Sequence, residues 1–522
     1  MKLFRTSINH LLLIILAVST ITANAQVIST AQIDTLTERT MRTFKVPGIA
    51  VAVVRGNKIV HIKGYGVRSL ITRQKVDANT LFGIASNSKA FTTAALGILV
   101  DEKKLKWDDK VTDYIPEFKM YDPYVTEEFT IRDLLTHRSG LGLGAGDLMI
   151  WPGSNNFTTA DIIHNLRFLK PVSGFRTKFD YDNLLYIVAG EVVARVSGMS
   201  WEDFIETRIM QPLGMSGSAA AYSRIRDKSN VTEPHAPIDG VVQVVNRDFS
   251  EFGDAAGGIY SNLIDLCKWA MMQMNDGKYG DNQEKQLFSN EVHETMWTMQ
   301  TIIPARSAAP YYTHFYGYGL GWFLSDVNGY KQVAHTGGLA GMVTQVTLIP
   351  EKKLGIIVLT NQQSGDAFKT ITNTIKDTYL GGTRVDWLKQ LSENAARELQ
   401  KAQKITEEVW KDVALQQKAD SSKTDNNLYT GTYTDKWLGD VTISEREGKL
   451  WFDSKRSPKL SAELLRYNGN TFVAKWQDRS MDADAFVVFF PDQSGKITGI
   501  KMKAISPLAD FSFDFHDLDL IR

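Results

Sequence analysis

At 522 residues the chain is long enough for more than one domain, and its 59 basic side chains are balanced by 59 acidic ones. This zero net charge, without a dense Lys/Arg tract, argues against nucleic acid as a partner. Cys267 is the only cysteine, so an internal disulfide is excluded and we expect a small core residue. The nine histidines include no His-Glu-x-x-His or paired Cys/His grouping, and therefore no metal and no cofactor are predicted.

Residues 1–25 have the pattern of a secretory signal peptide. A basic start is followed by an apolar run over residues 11–18 and by the small-x-small sequence Ala23-Asn24-Ala25. The apolar run is too short to predict a membrane span. We therefore expect cleavage after Ala25, a periplasmic protein and no stable membrane span after cleavage, with an uncleaved anchor as the alternative.

Strand patterns near both ends of residues 26–380 predict one antiparallel sheet. The first two patterns form a hairpin, over residues 47–54 and 59–62. Matching patterns recur late in the domain, at residues 319–323, 342–349 and 354–360. Because the intervening part is mostly helical, we expect an α/β (α+β) domain, with an antiparallel sheet from both ends of the domain and a helical subdomain over it.

The sequence Ser-Asn-Ser-Lys at residues 86–89 is the only Ser-x-x-Lys in the chain. It lies between an apolar strand or turn, residues 82–85, and a buried helix, residues 90–100, so Ser86 and Lys89 are predicted on one helix face. A serine hydroxyl must lose its proton to an adjacent base as it attacks. Lys89 can be that base if burial or a neighbouring cation lowers its pKa. The alternative for an isolated motif is an N-cap serine beside a solvated lysine.

Two further short motifs follow in the chain: Tyr181-Asp182-Asn183 and His335-Thr336-Gly337-Gly338. Either motif alone would be weak evidence, but three motifs in this order indicate an active-site serine hydrolase. Tyr181 is a second candidate for the proton of the serine. With residues 82–100, 129–141, 201–215 and 255–258, the three motifs resemble the class C β-lactamase and penicillin-binding serine peptidase family over roughly residues 30–365.

The resemblance implies a β-lactamase/transpeptidase-like fold and a role for each catalytic residue. Ser86 would be the acylated nucleophile and Lys89 its proton partner. Tyr181 would be the general acid/base that protonates the leaving group and later activates water. The oxyanion hole would be formed by the backbone N–H groups of Ser86 and Gly338.

For substrate binding, the resemblance implies that Asn183 hydrogen-bonds the substrate amide and that a strand with His335, Thr336 and Gly337 flanks the cleft. β-Lactamases and transpeptidases of this family carry lysine where this chain has His335. Histidine, with an ordinary pKa of about 6.5, is mostly neutral at pH 7, so the cation that would hold a substrate carboxylate is weakened. The resemblance therefore favours peptidase activity, including D-amino-acid peptidase activity, or esterase activity. We expect weak or absent β-lactamase activity.

Three neighbouring features are interpreted as structural. Asp182 is expected to face solvent or a salt bridge, because alternate side chains of an extended segment point apart. His137 is expected to order its loop. The glycine-rich residues 140–146 lack the spacing of a nucleotide site and predict a flexible loop near the cleft.

Residues 381–427 predict a charged amphipathic helix and a polar linker. Residues 428–522 contain short strand patterns that predict a small antiparallel β-barrel, similar to the lipocalin-like tails of some family members. Alternating Phe511, Phe513 and Phe515 are interpreted as barrel core. Such tails shield the cleft or mediate oligomerisation in the family, so the resemblance implies a homo-oligomer formed through this domain as one role.

Together these patterns predict an exported serine hydrolase that acts through an acyl-enzyme on Ser86. Its substrate would be a small molecule or a peptide with an amide or ester bond, and D-amino-acid or cell-wall peptides are candidates. The alternative is a non-catalytic penicillin-binding-type sensor or binding protein. Such a protein has no chemical need for all of Ser86, Lys89, Tyr181 and Asn183.

Overall fold

The computed structural model of the chain describes residues 27–381, 385–419 and 425–522. The predicted signal peptide and its cleavage point after Ala25 lie outside the described residues. A large domain over residues 27–381 is followed by a long helix and by a C-terminal barrel.

The large domain is built around an eight-stranded antiparallel sheet with strands from both ends of the domain, as predicted. From one edge to the other, the strands are Lys58–Gly66, Gly48–Arg55, Leu354–Thr360, Met342–Ile349, Tyr330–Leu339, Phe323–Val327, Tyr316–Tyr318 and Thr301–Ile303. The early hairpin joins the late strands where Gly48–Arg55 pairs with Leu354–Thr360.

Helices cover both faces of this sheet, which explains why strand Gly48–Arg55 is buried over its first seven residues. Side chains alternate between the two faces of a strand. One set packs in a core with helices Thr30–Phe44 and Gly365–Leu380, and the other set faces helix Leu263–Met274. Cys267 is buried on that last helix, as predicted.

The predicted helical subdomain lies between the early and late strands, and two 14-residue helices, Ser88–Asp101 and Leu184–Ser197, pack together inside it. Shorter helices surround this pair: Val111–Tyr114, Pro123–Glu128, Ile131–Leu134, Thr159–Asn165, Trp201–Ile205, Gln211–Leu213, Asp254–Gly257 and Asn290–Met296. Within the described ranges, no single helix is long and apolar enough to cross a membrane. One pair of helical segments, Leu184–Ser197 and Trp201–Leu213, is long and apolar enough when taken together, but the two segments are bent by 76° relative to each other.

The strand predicted at residues 319–323 is wrong. Strands Tyr316–Tyr318 and Phe323–Val327 pair with each other, and the residues between them form the turn. Gly321 has φ +79°, and a Cβ atom there would lie 2.8 Å from Thr93 Oγ1. The chain therefore reverses direction at a glycine that packs closely against helix Ser88–Asp101.

Helix Trp387–Ala419 confirms the amphipathic pattern and packs against helix Gly365–Leu380 and strand Ser461–Asn468. It leads to a closed antiparallel barrel of eight strands: Gly431–Asp435, Gly439–Arg446, Lys449–Ser454, Ser461–Asn468, Thr471–Trp476, Ala485–Pro491, Ile497–Ala504 and Leu520–Ile521. The last strand closes the barrel by pairing with both Ile497–Ala504 and Gly431–Asp435.

The strand predicted over Phe511, Phe513 and Phe515 is also wrong. Asp510 Oδ1 accepts a hydrogen bond from the Ser512 N–H at 3.0 Å, and the Phe515 N–H donates to the Phe513 carbonyl, so local turns replace a ladder. Phe515 is in the barrel core, with 1% of its surface exposed, whereas Phe511 is 40% exposed and lies outside it. The three rings therefore do not share one face.

Polar contacts fix the barrel against the large domain. Arg456 Nη2 lies 3.0 Å from Asp161 Oδ2, and Lys459 Nζ lies 2.6 Å from Asp248 Oδ1. Asn165 Nδ2 donates to the Trp437 carbonyl at 2.9 Å. These contacts hold the segment that follows strand Ile497–Ala504 over the cleft of the large domain.

Candidate active site

Ser86 lies in a tight turn between a short strand and a buried helix. Strand Phe82–Gly83 pairs with Tyr260–Ser261, and a 3₁₀ turn over Ala85–Asn87 leads into helix Ser88–Asp101. Ala85 has φ +51°, a left-handed conformation that costs a non-glycine residue about 1–3 kcal/mol. The surrounding packing therefore holds the serine turn in a conformation that the chain alone would not favour.

The strand of the third motif supplies part of that packing. A Cβ atom on Gly337 would lie 2.1 Å from the Ile84 carbonyl oxygen and 2.9 Å from the Ala85 Cβ. Gly337 is buried, so the structure places it against the serine turn. Gly338 instead faces the cavity, where a Cβ atom would meet no atom of the described residues within 4 Å.

Lys89 is fully buried, and its amine contacts three oxygen atoms. Its Nζ lies 3.1 Å from Ser86 Oγ. It also donates to Asn183 Oδ1 at 2.7 Å and to the Ala256 carbonyl at 2.9 Å. A neutral amine has two N–H donors and one lone pair, so these distances allow it to donate to the amide and the carbonyl while its lone pair faces the serine.

Burial lowers the pKa of Lys89 to about 7, and the nearby carboxyls of Asp147 and Asp182 only partly offset this effect. The predicted condition for a lysine base, a lowered pKa, is therefore met. A substantial fraction of the amine is neutral at pH 7, while an ordinary lysine side chain would be almost fully charged.

Tyr181 contacts both the serine and the lysine. Its phenol hydrogen-bonds Ser86, and the Lys89 amine lies 4.9 Å from the centroid of its ring. Burial raises the pKa of Tyr181 well above its ordinary value, although the bond to Ser86 opposes the shift. The phenol is therefore neutral and can donate a proton, whereas Lys89 is better suited to accept one.

Asn183 links Lys89 to a buried carboxyl that the sequence patterns missed. Asn183 Nδ2 donates to Asp147 Oδ2 at 2.8 Å, and Ser512 Oγ, from the barrel, donates to the same oxygen at 2.9 Å. Burial raises the pKa of Asp147 well above its ordinary value, and Asp182 adds to the shift. The hydrogen bonds of Asn183 therefore run inward to protein groups.

The prediction that Asp182 faces solvent or a salt bridge is wrong. Asp182 is fully buried, and its Oδ1 accepts the Leu185 N–H at 3.2 Å, at the start of helix Leu184–Ser197. The chain turns into a helix here, so the side-chain alternation of an extended segment does not apply. Burial raises the pKa of Asp182 to about 7.

His137 is buried and contacts the segment of the second motif, including its tyrosine. Its Nδ1 accepts the Asp182 N–H at 3.1 Å. Its ring centroid lies 4.1 Å from that of Tyr181. The glycine-rich loop after it lies beside the cleft, where the Gly144 N–H donates to the Tyr181 carbonyl at 2.8 Å.

His335 borders the cavity, but both of its ring nitrogens contact protein groups. Nε2 lies 3.0 Å from Tyr318 Oη, and Nδ1 lies 2.6 Å from the Thr336 carbonyl oxygen. Burial lowers the pKa of His335 to about 3, and the Lys89 charge contributes to the shift. The ring is therefore neutral at pH 7 and provides no cation for a substrate carboxylate.

These residues border a cavity of about 580 Å³ between the two domains. The large domain contributes the motif residues Ser86, Tyr181, Asn183, His335, Thr336 and Gly338, among others. The barrel contributes Ser480, Met481, Asp482, Leu508, Asp510, Phe511, Ser512 and Phe513. Phe511 meets Tyr181 edge to face, with ring centroids 6.0 Å apart. The barrel therefore forms one wall of the candidate active site.

Asp147, Ser512 and Asp514 are the site residues that sequence reasoning missed. Asp147 stands between a glycine-rich loop and the apolar run Leu-Met-Ile, and Asp514 stands within an aromatic sequence. A single carboxyl in an apolar sequence is a usable signal, because such side chains are rarely buried without a partner. No group of three or more His, Cys, Asp or Glu side chains suited to a metal ion occurs in the described parts of the chain.

Residues 33–378 match the Beta-lactamase family, and residues 417–522 match a domain of unknown function, DUF3471. Unguisins hydrolase ungD of Aspergillus violaceofuscus (strain CBS 115571) is 29% identical over 383 residues, which cover 68% of this chain and 66% of that protein. Protein flp of Staphylococcus aureus (strain MW2) is 26% identical over 340 residues, 64% of each chain. The chain thus spans about two thirds of the length of these relatives.

Solved structures show the same fold at low identity. The octameric penicillin-binding protein homologue from Pyrococcus abyssi superposes with a TM-score of 0.61 at 21% identity, covering 95% of this chain and 100% of that one. A class C β-lactamase superposes with a TM-score of 0.54 at 21% identity, covering 67% of this chain and 94% of that one. The fold is therefore β-lactamase/transpeptidase-like, with a closed C-terminal barrel. Because the family match extends over most of the large domain, where the three motifs meet in one cleft, the chain belongs to the Beta-lactamase family.

Proposed function

We propose that this protein is an exported serine hydrolase that cleaves amide or ester bonds through an acyl-enzyme on Ser86. The observation that carries the proposal is the position of Lys89. Its buried amine lies 3.1 Å from Ser86 Oγ and has a pKa lowered to about 7. One relative is named as a hydrolase, which agrees with this chemistry.

In the first step Ser86 Oγ attacks the substrate carbonyl and its proton passes to the neutral amine of Lys89. Asn183 Oδ1 and the Ala256 carbonyl hold the two N–H groups of that amine, so its lone pair stays on the serine. The carbonyl oxygen gains the negative charge. The N–H groups of Ser86 and Gly338 are the proposed donors to it, and the space beside Gly338 is open.

The leaving group departs with a proton from Tyr181 or Lys89, and water then hydrolyses the acyl-serine. Tyr181 suits the donor role because burial keeps its phenol protonated. It recovers the proton from Lys89 or from the attacking water, so each cycle restores the resting site. Thr336, which is exposed at the cavity, is the proposed contact for the substrate backbone, and the second N–H of Asn183 Nδ2, beside the one that Asp147 binds, is the proposed donor to the substrate amide.

The charges of the cavity favour peptidase or esterase activity over β-lactamase activity. Among the described residues that border it, the acidic side chains are Asp248, Asp482 and Asp510, and none is a lysine or an arginine. Asp248 is paired with Lys459. A penicillin carboxylate would meet carboxylates and the neutral His335, whereas a substrate with a free amine would be attracted. Peptides with an unblocked amine, D-configured or derived from the cell wall, are the proposed substrates.

Export is proposed from the basic, apolar and small-x-small order of residues 1–25. Cell fractionation with an N-terminal sequence of the secreted chain tests this part. A mature protein that starts at Gln26 is the expected result, and an intact N-terminus in the cytoplasmic fraction would contradict it.

The decisive experiment labels residues 26–522 with a fluorophosphonate probe and, separately, with a fluorescent penicillin. Mass spectrometry then locates the modified residue. We expect the phosphonate to modify Ser86 and the penicillin to react slowly or not at all. Labelling by both reagents would restore a penicillin-recognising function, and labelling by neither would favour a non-catalytic binding protein. The free-amine preference is tested by comparing an aminoacyl ester with its N-acetylated form, with the faster reaction expected for the free amine.

A further inference from the structure

The barrel is connected to the catalytic lysine by an unbroken series of hydrogen bonds. Ser512 Oγ donates to Asp147 Oδ2 at 2.9 Å, and Asn183 Nδ2 donates to the same oxygen at 2.8 Å. Asn183 Oδ1 then accepts from Lys89 Nζ at 2.7 Å. Ser512 comes from the segment over residues 508–514, which we call the cleft loop, and it is 365 residues from Asp147 in the chain.

We propose that Ser512 of the barrel is a positioning residue for Lys89 and acts through Asp147. The inference rests on the proposed acyl-enzyme function. It assigns the C-terminal domain a part in the chemistry of the large domain, in addition to its place as a wall of the cavity.

The orientation of the Asn183 amide explains how the effect is transmitted. An amide has a carbonyl oxygen that accepts hydrogen bonds and an NH₂ group that donates them. Asp147 fixes the orientation of this amide. Its Oδ2 accepts from Asn183 Nδ2, which leaves Asn183 Oδ1 to accept from Lys89. If the Asn183 amide were reversed, its NH₂ group would face the N–H groups of Lys89, and two donors would oppose each other. The amine would then lose an acceptor that directs its lone pair to Ser86.

Asp147 in turn depends on the cleft loop. Its Oδ2 accepts from both Asn183 and Ser512, while its buried Oδ1 has no hydrogen-bond partner among the described residues. Loss of the Ser512 hydroxyl would leave a buried carboxyl with a single donor, which disfavours its present position.

The backbone of the Asp147 loop is held from the same side. Asp514 accepts from the N–H groups of Gly146, at 2.7 Å, and Leu148, at 3.3 Å. Gly144 allows the close approach, since a Cβ atom there would lie 2.8 Å from the Phe511 carbonyl oxygen. The loop that carries Asp147 is therefore fitted to the cleft loop on both sides of the carboxyl.

The titratable groups that influence or contact the Lys89 amine are Asp147, Asp182, Tyr181, Tyr186, His137 and His335. Two members of this set contact the barrel: Asp147 accepts a hydrogen bond from Ser512, and Tyr181 meets the ring of Phe511.

The test measures Ser86 acylation by a fluorophosphonate, as a function of probe concentration, in wild type, Ser512→Ala and Ser512→Thr. Ser461→Ala is the matched control, because Ser461 also donates to an aspartate, at 2.7 Å from Asp453 Oδ1, but on a barrel strand away from the cavity. A melting curve of each variant verifies that the barrel stays folded. We expect Ser512→Ala to lower the maximal acylation rate about tenfold at an unchanged half-saturating concentration.

Ser512→Thr keeps the hydroxyl and should recover most of the rate, and Ser461→Ala should equal wild type. In an Asp147→Asn background, Ser512→Ala should have little further effect, since both changes interrupt the same series of bonds. Equal maximal rates for Ser512→Ala and Ser461→Ala would overturn the inference and leave the acyl-enzyme proposal intact. A change in the half-saturating concentration alone would make Ser512 a substrate contact. A wild-type protein that is not acylated on Ser86 would remove the proposed function and this inference together.

Discussion

Lys89 and Lys376 are both buried in the large domain, with exposed fractions of 0% and 3%. Burial lowers the pKa of the first to about 7 and of the second to about 8. Each amine also lies over a tyrosine ring, 4.9 Å from the Tyr181 centroid and 4.2 Å from the Tyr311 centroid respectively. By burial, pKa and aromatic contact, the two side chains are closely alike.

Their hydrogen bonds and surroundings differ. Lys376 Nζ donates to Gln332 Oε1 at 2.8 Å, beside the Asp377 carboxyl, which tends to keep the lysine charged. Lys89 has the Ser86 hydroxyl at 3.1 Å, and that serine borders a cavity. A lowered lysine pKa therefore records burial, and a site for chemistry also needs a nucleophile and space for a substrate.

The Ser86 hydroxyl is the main difference between the surroundings of Lys89 and those of Lys376. Ser86→Ala removes the atom that distinguishes the Lys89 environment, so turnover of an ester substrate should fall by about 10⁴–10⁶ in kcat. Steady-state kinetics with purified protein checks this, with a melting curve to verify folding. Wild-type rates in this variant would show that the reaction takes place elsewhere.

The second prediction exchanges each lysine for an apolar side chain of similar length. Lys89→Met should lower the acylation rate about 10²–10⁴-fold, because the serine loses its base. Lys376→Met should retain the wild-type acylation rate, because its amine contacts Gln332 and is not at the cavity. The rate of fluorophosphonate labelling measures both effects. Similar losses in the two variants would mean that buried charge in general, and not proximity to Ser86, determines activity.

The pH profile gives a third test. Lys89 must be neutral to accept a proton, so the acylation rate should rise with pH through about 7 and fall about tenfold for each pH unit below it. Burial raises the pKa of Asp182 to about 7, so this carboxyl titrates in the same range. The rising limb of the pH profile then reports the coupled titration of Lys89 and Asp182.

Asp182→Asn separates the two groups. The Asp182 charge raises the pKa of Lys89, so its removal should move the rising limb to lower pH, while the amide oxygen can still accept the Leu185 N–H. A limb that stays in place in this variant would assign the titration to another group.

Much of this site could be predicted because its motifs are local. Ser86 and Lys89 are three residues apart at the start of a helix, and spacing alone brings them together. The sheet strands predicted over residues 47–54, 59–62, 342–349 and 354–360 likewise follow from apolar runs of strand length. In both cases the pattern that supports the prediction lies within a few consecutive residues.

The errors concern local turns and contacts between distant parts of the chain. Burial of Asp182 depends on a turn into helix Leu184–Ser197, which side-chain alternation does not report. Phe511 belongs to an aromatic pattern typical of a strand, but it leaves the barrel to meet Tyr181 in another domain. The bond between Ser512 and Asp147 spans 365 residues, and nothing in either local sequence specifies its partner.

The smallest expected effect comes from a change at His335, the neutral histidine that borders the cavity. His335→Lys introduces a cation where burial keeps the histidine neutral, so selectivity for a carboxylate-bearing substrate over a neutral ester should increase about three- to tenfold. His335→Gln is the control, because its amide can accept from Tyr318 and donate to the Thr336 carbonyl without a charge. The ratio of kcat/KM values for a penicillin and for a neutral ester measures the change. Because a lysine here would also repel the Lys89 charge, ester hydrolysis should extend to lower pH in the same variant. Equal selectivity for the lysine and glutamine variants would remove residue 335 from substrate recognition and leave its hydrogen bonds as its contribution.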